Sequence, residues 1–313
     1  MKKKMKPIFR GNSFVLMLVA LQFMGSLVLG RTIGNKLTTG QILVFSQVAF
    51  LLIPTAIYFV VTKKPIKETL KLNKLYMTDI LCLIAIGILC YPIAGLCANI
   101  SSIFFENNVQ AVVNQLEGTS FFTLIGIMAL TPAICEELVM RGVVLSEYKY
   151  KTTFKAAVMN GIIFGLMHLS GQQFLYAAIL GFVFAYIVRV TGSLFSTMIV
   201  HFVFNGFNMT LSYFATKVQS DAVLDTAPMT VDVFLSAIVT LSIISLISGV
   251  IIWLLIRYMK KKREKLNPDF VNLDENEKDN FSDEVWEYKK EIMINLPFIL
   301  LVIFNIAFIK LFE

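Results

Sequence analysis

The sequence predicts an all-α polytopic membrane protein with about nine transmembrane helices (eight to nine) and a cytoplasmic N-terminus. Three observations predict it. The chain of 313 residues is 57% hydrophobic and has a mean hydropathy of +0.73, more apolar surface than a soluble domain can bury. Only 16% of its residues are charged, against about 25% in ordinary soluble proteins. Nine apolar stretches approach or exceed the about 20 residues needed to cross a bilayer. A disordered chain would show the opposite balance. A nucleic-acid binder would share the net charge of +7 but not the hydrophobicity, so no nucleic-acid partner is expected.

The nine stretches are 13–30, 41–61, 77–105, 120–145, 155–169, 174–188, 194–214, 233–256 and 292–309. The first follows Lys2–Lys6 but lacks a small-residue cleavage site, so it reads as an anchor and not as a signal peptide. Basic residues test the count. With the N-terminus inside, 23 of the 28 Lys and Arg fall in inside segments, four fall outside, and Arg141 lies within the fourth stretch. That asymmetry follows the positive-inside rule. Omitting any one stretch would invert every later loop. The expected division is 1–120 for N-terminal helices, 121–214 for a central group of helices, and 215–257 for a further helix. A charged cytosolic linker at 258–291 and a C-terminal helix at 292–313 complete it. The linker opens with the basic run Lys260–Arg263, suited to a membrane surface. Cys82, Cys90, Cys97 and Cys135 sit in apolar runs at helical spacing and read as small core or lipid-facing residues. Pro54, Pro92 and Pro132 fall inside spans, where each frees a carbonyl.

Charge inside a span is costly and is expected to be paired or functional. Such residues gather in the fourth, fifth and seventh stretches. The fourth holds Glu136, Glu137 and Arg141. Glu137 and Arg141 are four apart, with Glu first, the favourable order for an ion pair. Glu136 is turned about 100° away and needs another partner. The fifth ends in Phe164-Gly165-Leu166-Met167-His168, and the seventh holds His201 and Asn205 on one face. The chain has only two histidines, and both lie in spans. At about 1.5 Å per residue, Glu136, His168 and His201 lie roughly 12–24 Å from the inside loops, so they can converge. The fifth stretch is short, and the polar run 170–173 must therefore be buried in protein or line a wet cavity.

A carboxylate, two imidazoles and a carboxamide make a hydrolytic set. Glu136 can act as general base toward water. The histidines can hold that water directly, or bind Zn²⁺ with Glu136, His168 and His201 as ligands and water as the fourth. The residues allow either arrangement. Asn205 can donate to a developing oxyanion. Neither a His-Glu-x-x-His pair nor a Gly-x-Ser-x-Gly elbow is present.

These motifs resemble those of the CPBP family, the CAAX-protease and bacteriocin-processing (Abi) intramembrane proteases. The pattern Glu-Glu-x-x-x-Arg, then Phe-x-x-x-His, then His-x-x-x-Asn is matched in order by Glu136, Glu137 and Arg141, by Phe164 and His168, and by His201 and Asn205. The resemblance covers about 121–214. It implies an intramembrane endopeptidase, described in the family as a metalloprotease, in which Glu136 and His168 activate water. Arg141 would hold Glu137, and His201 and Asn205 would stabilise the oxyanion. The expected partner is a membrane-bound peptide or protein substrate in the lipid bilayer. Lys- and Phe-rich composition suggests a bacterial cell membrane, where peptide or bacteriocin processing or self-immunity fits better than prenylated CAAX substrates. The ninth stretch is not required by the shared core. A proton- or ion-coupled transporter is a rival reading, because intramembrane Glu and His also form relays. No matching halves support it. A non-catalytic immunity or scaffold protein is the second rival.

Overall fold

The computed structural model describes residues 5–32, 34, 36–221, 231–266 and 283–312. Lys2–Lys4, residues 222–230 of the seventh-to-eighth connection and residues 267–282 of the linker lie outside them. All regular structure among the described residues is helical. The long helices are α1 (Pro7–Thr32), α2 (Thr39–Thr62), α3 (Met77–Ser101), α4 (Phe121–Glu147), α5 (Thr153–Met167), α6 (Gly171–Thr191), α7 (Leu194–Asp221), α8 (Val231–Leu266) and α9 (Leu296–Phe312). Each coincides with one predicted stretch. Seven are long and apolar enough to cross a membrane; α5 and α9, with 15 and 17 residues, are shorter. At about 1.5 Å per residue they reach roughly 22 and 26 Å, short of a core of about 30 Å.

Two boundaries differ from expectation. α8 runs ten residues past 256 into the basic run, because Arg257–Lys265 are good helix formers that need no apolar partner. A helix at Asp283–Lys290 occupies part of what reads as linker. α6 starts at Gly171, where the Ser170 side chain accepts from the Gln173 amide and caps the first turn.

Widened π-turns interrupt α2 at Val48–Leu52 and α4 at Gly126–Leu130, just before Pro54 and Pro132. A third lies at Leu138–Val144, directly after the paired glutamates. Such turns leave carbonyls that the helix itself does not satisfy, and they recur at functional sites. Side chains from other helices take two of these carbonyls. Asn160 Nδ2 donates to Met140 O at 2.8 Å, and Asn205 Nδ2 donates to Met128 O at 3.1 Å. Met128 is four residues before Pro132, so its carbonyl is the one the proline cannot serve.

One end of the bundle is tightly cross-linked. Glu147 at the end of α4 receives a two-bond contact from Arg10 at 2.6 and 2.7 Å, Lys64 at 2.8 Å and the Tyr58 hydroxyl. Asp79, a buried charge inside the third stretch, pairs with Lys262 at 3.0 Å and Arg263 at 3.2 Å of α8. Arg189 donates to the carbonyls of Tyr148 and Lys151. Glu291 accepts from the amides of Ile8 and Phe9, which satisfies the first turn of α1. These contacts gather the start of α1, the α2–α3, α4–α5 and α6–α7 connections and the end of α8 at one face, hereafter the basic end.

Lys71 lies in the α2–α3 connection at this end. Burial, reinforced by Arg189, pulls its ammonium down to about 8. The unfolded chain then binds more protons between about pH 8 and the ordinary lysine range near 10.4. Stability contributed at this site rises with pH across that window. The melting temperature of wild type, measured against Lys71→Met, should therefore gain between pH 8 and pH 10.

α5 and α6 pack at glycine-to-glycine distance. A Cβ on Gly161 would stand 2.5 Å from Ala178 O, and one on Gly181 would stand 2.9 Å from the Gly161 Cα. Backbone cannot yield there as a flexible side chain would. Gly161→Ala should cost about 1–3 kcal/mol by forcing the two helices apart, read as a lowered melting temperature in detergent.

Candidate active site

α4, α5 and α7 each bring one predicted motif to the middle of the bundle, and the end of α5 with the start of α6 closes the side. Glu136, Phe164, His168, His201 and Asn205 all line one cavity of about 1100 Å³. Glu137 and Arg141 do not line it. They lie behind it, with side chains 0% exposed, whereas the Glu136 side chain is 15% exposed. The two adjacent glutamates therefore have different surroundings, as their 100° separation requires.

Glu137 Oε1 accepts from Arg141 Nη1 at 2.8 Å and from His201 Nδ1 at 2.9 Å. Arg141 also donates to Gly181 O at 3.2 Å, and its guanidinium lies over the Phe164 ring at 4.3 Å and near the Phe184 ring at 5.2 Å. This arrangement explains why a phenylalanine stands four residues before His168: it covers the buried cation. Glu137 and Arg141 are thus positioning residues for His201.

Both imidazoles are oriented in the same way. His168 Nδ1 lies 2.8 Å from Phe164 O, and a carbonyl can only accept. Nδ1 therefore carries the proton, and Nε2 of the neutral ring has a free lone pair. The carboxylate of Glu137 fixes His201 in the same tautomer. His201 Nε2 stands 4.0 Å from Glu136 Oε2, too far for a direct hydrogen bond. The other Glu136 oxygen accepts from Gln47 Nε2 of α2 at 3.0 Å. Asn205 spends one amide proton on Met128 O and keeps the second.

Gln47 was not singled out by the sequence. Gln172 and Gln173 belong to the polar run expected to be buried or to line a wet cavity, and both line this one. The available signal was an amide side chain in an otherwise apolar helix. The charges at Arg10, Asp79 and Glu147 were missed as well, and they serve the basic end and not the site. α9 contributes no lining residue; it packs outside α1 and α5, where Asn305 donates to Leu166 O at 2.7 Å.

The donor types suit zinc, but their spacing does not. Among the described residues, no three His, Cys, Asp or Glu side chains stand close enough together to hold a metal ion. The four cysteines are free and take no part.

The fold and site define a membrane-embedded helical bundle with a carboxylate and two oriented imidazoles around an internal cavity. Residues 118–207 match the family model described as type II CAAX prenyl endopeptidase Rce1-like. The match runs from the start of α4 into α7, over every motif above, and supports the resemblance of this segment to the CPBP (CAAX protease) family. At family level that match is to CAAX-type intramembrane proteases, which are hydrolases. No curated protein and no solved structure matches the chain.

Proposed function

We propose that the chain is an endopeptidase that cuts a membrane-associated peptide or protein with water activated by Glu136. The observation that carries this reading is the convergence of Glu136, His168, His201 and Asn205 on one cavity. The 4.0 Å between Glu136 Oε2 and His201 Nε2 leaves a water placed there within hydrogen-bond reach of both. Glu136 takes a proton from that water as its oxygen bonds to the carbonyl carbon. The remaining Asn205 amide proton faces the oxygen that gains charge. His201 donates there when both of its nitrogens carry protons. When the C–N bond breaks, the proton held on Glu136 passes to the leaving amine. Gln47 keeps the carboxylate in place by its bond to Oε1.

The test is to express Glu136→Ala and His168→Ala beside wild type and compare membrane peptides by N- and C-terminal proteomics. Peptides lost in both variants are the expected result; identical peptide sets in all three would overturn the reading. Metal analysis forms a second arm. With the donors spread as they are, neither stoichiometric metal nor a chelator effect is expected. One tightly bound zinc per chain would replace the direct activation by zinc-bound water.

A further inference from the structure

We propose that the cavity opens to the extracytoplasmic face and takes an uncharged, extended stretch of peptide from that side. The access direction stands on topology alone; only the word substrate rests on the hydrolase reading above.

The position of the cavity along each helix carries the first part. α1 lends Gln22, beyond its midpoint from the basic end, and α3 lends only residues 91–99 of Met77–Ser101. α6 contributes from Gln172 at its start to Phe184, and α7 contributes from His201 to Ala215. The α3–α4 connection adds Asn107. Most of these lie between the middle of the bundle and the end remote from Glu147, while Phe184 and His201 lie on the basic-end side of their helices' midpoints, at the bottom of the cavity. Glu136 and the histidines therefore form the floor of a cavity open at that remote end. The other half is closed by Glu147 with Arg10 and Lys64, by Asp79 with Lys262 and Arg263, and by Arg189 on the α4–α5 connection. No residue of these contacts lines the cavity. The closed end also holds the lysine- and arginine-rich segments, which the positive-inside rule places in the cytoplasm. The open end then faces outward.

The lining chemistry carries the second part. Glu136 is the one carboxylate among the lining residues, and none of them is a lysine or arginine. Carboxamides take their place: Gln47, Asn99, Asn107, Gln172, Gln173 and Asn208. Each offers a donor and an acceptor on one planar group, the same pair that a peptide unit presents. A site built for a free C-terminal carboxylate would offer a cation, most often Arg. The volume of about 1100 Å³ exceeds the roughly 300–1,000 Å³ of small-molecule sites and suits several residues of extended chain.

Cysteine accessibility tests the direction without any need for activity. Ser212→Cys and Asn107→Cys mark the open end, and Lys149→Cys, an exposed position on the α4–α5 connection, marks the basic end. Spheroplasts are treated with a membrane-impermeant maleimide, with wild type as the blank. Labelling of Ser212→Cys and Asn107→Cys in intact spheroplasts, and of Lys149→Cys only after permeabilisation, is expected. Labelling in the reverse order overturns the proposal. The cleavage sites found in the proteomic comparison test the occupant. They should fall in extracytoplasmic segments, away from the chain end, with no charged residue in the few positions on either side. Loss of a cytosolic C-terminal tripeptide as the Glu136-dependent event overturns it. If the labelling holds and no peptide depends on Glu136, the hydrolase reading fails while the direction of opening stands.

Discussion

Glu136→Gln should lower kcat by about 10²–10⁴-fold on any peptide the wild type cuts, the usual range for loss of a general base. The substitution keeps the shape of the side chain and its contact with Gln47 while removing the oxygen charge that takes the proton. The melting temperature should stay close to that of wild type, since Glu136 is paired with no buried cation. Turnover within tenfold of wild type would remove Glu136 from the chemistry. Gln47→Leu gives the graded comparison. It removes one hydrogen bond to a carboxylate, and the expected loss is about tenfold to a hundredfold.

Arg141→Met should be the most damaging single change to the fold. It leaves Glu137, which is 0% exposed, without its cation, and removing one partner of a buried ion pair costs about 3–5 kcal/mol. The Phe164 and Phe184 rings also lose the group they cover. The double variant Glu137→Gln with Arg141→Met takes the stranded charge away and should regain most of the stability. It should stay slow, because His201 Nδ1 then faces an amide where it had a carboxylate. Thermal melts and turnover of the two variants check this together. Recovery of activity along with stability would show that Glu137 does not act through His201.

The parts of this site that were legible in sequence are those fixed by helical spacing. The Glu137–Arg141 pair follows from four residues on one helix, and the shortness of α5 foretold a buried polar run at 170–173. Chain-distant partners left no comparable trace. Gln47 reaches Glu136 across 89 positions, and a neutral carboxamide in an apolar helix is too cheap a residue to stand out. Glu147 sits beside Lys149 and Lys151 and so resembles an ordinary solvated loop edge, yet packing leaves it 1% exposed among three partners. The π-turns were illegible for a further reason. They depend on how neighbouring helices pull a turn open, and Pro54 and Pro132 announce only where a bond is missing.

That missing bond ties two distant positions into one evolutionary unit. With alanine at 132, the restored N–H would reach back to Met128 O and compete with Asn205 for it. The amide would then be free to swing off the line on which it meets the substrate, although nothing in the cavity had been altered. Substitutions at 132 and at 205 are therefore expected to be coupled. Among natural relatives of this chain, loss of the proline should travel with a different residue at 205, and a proline restored beside the wrong partner should do harm.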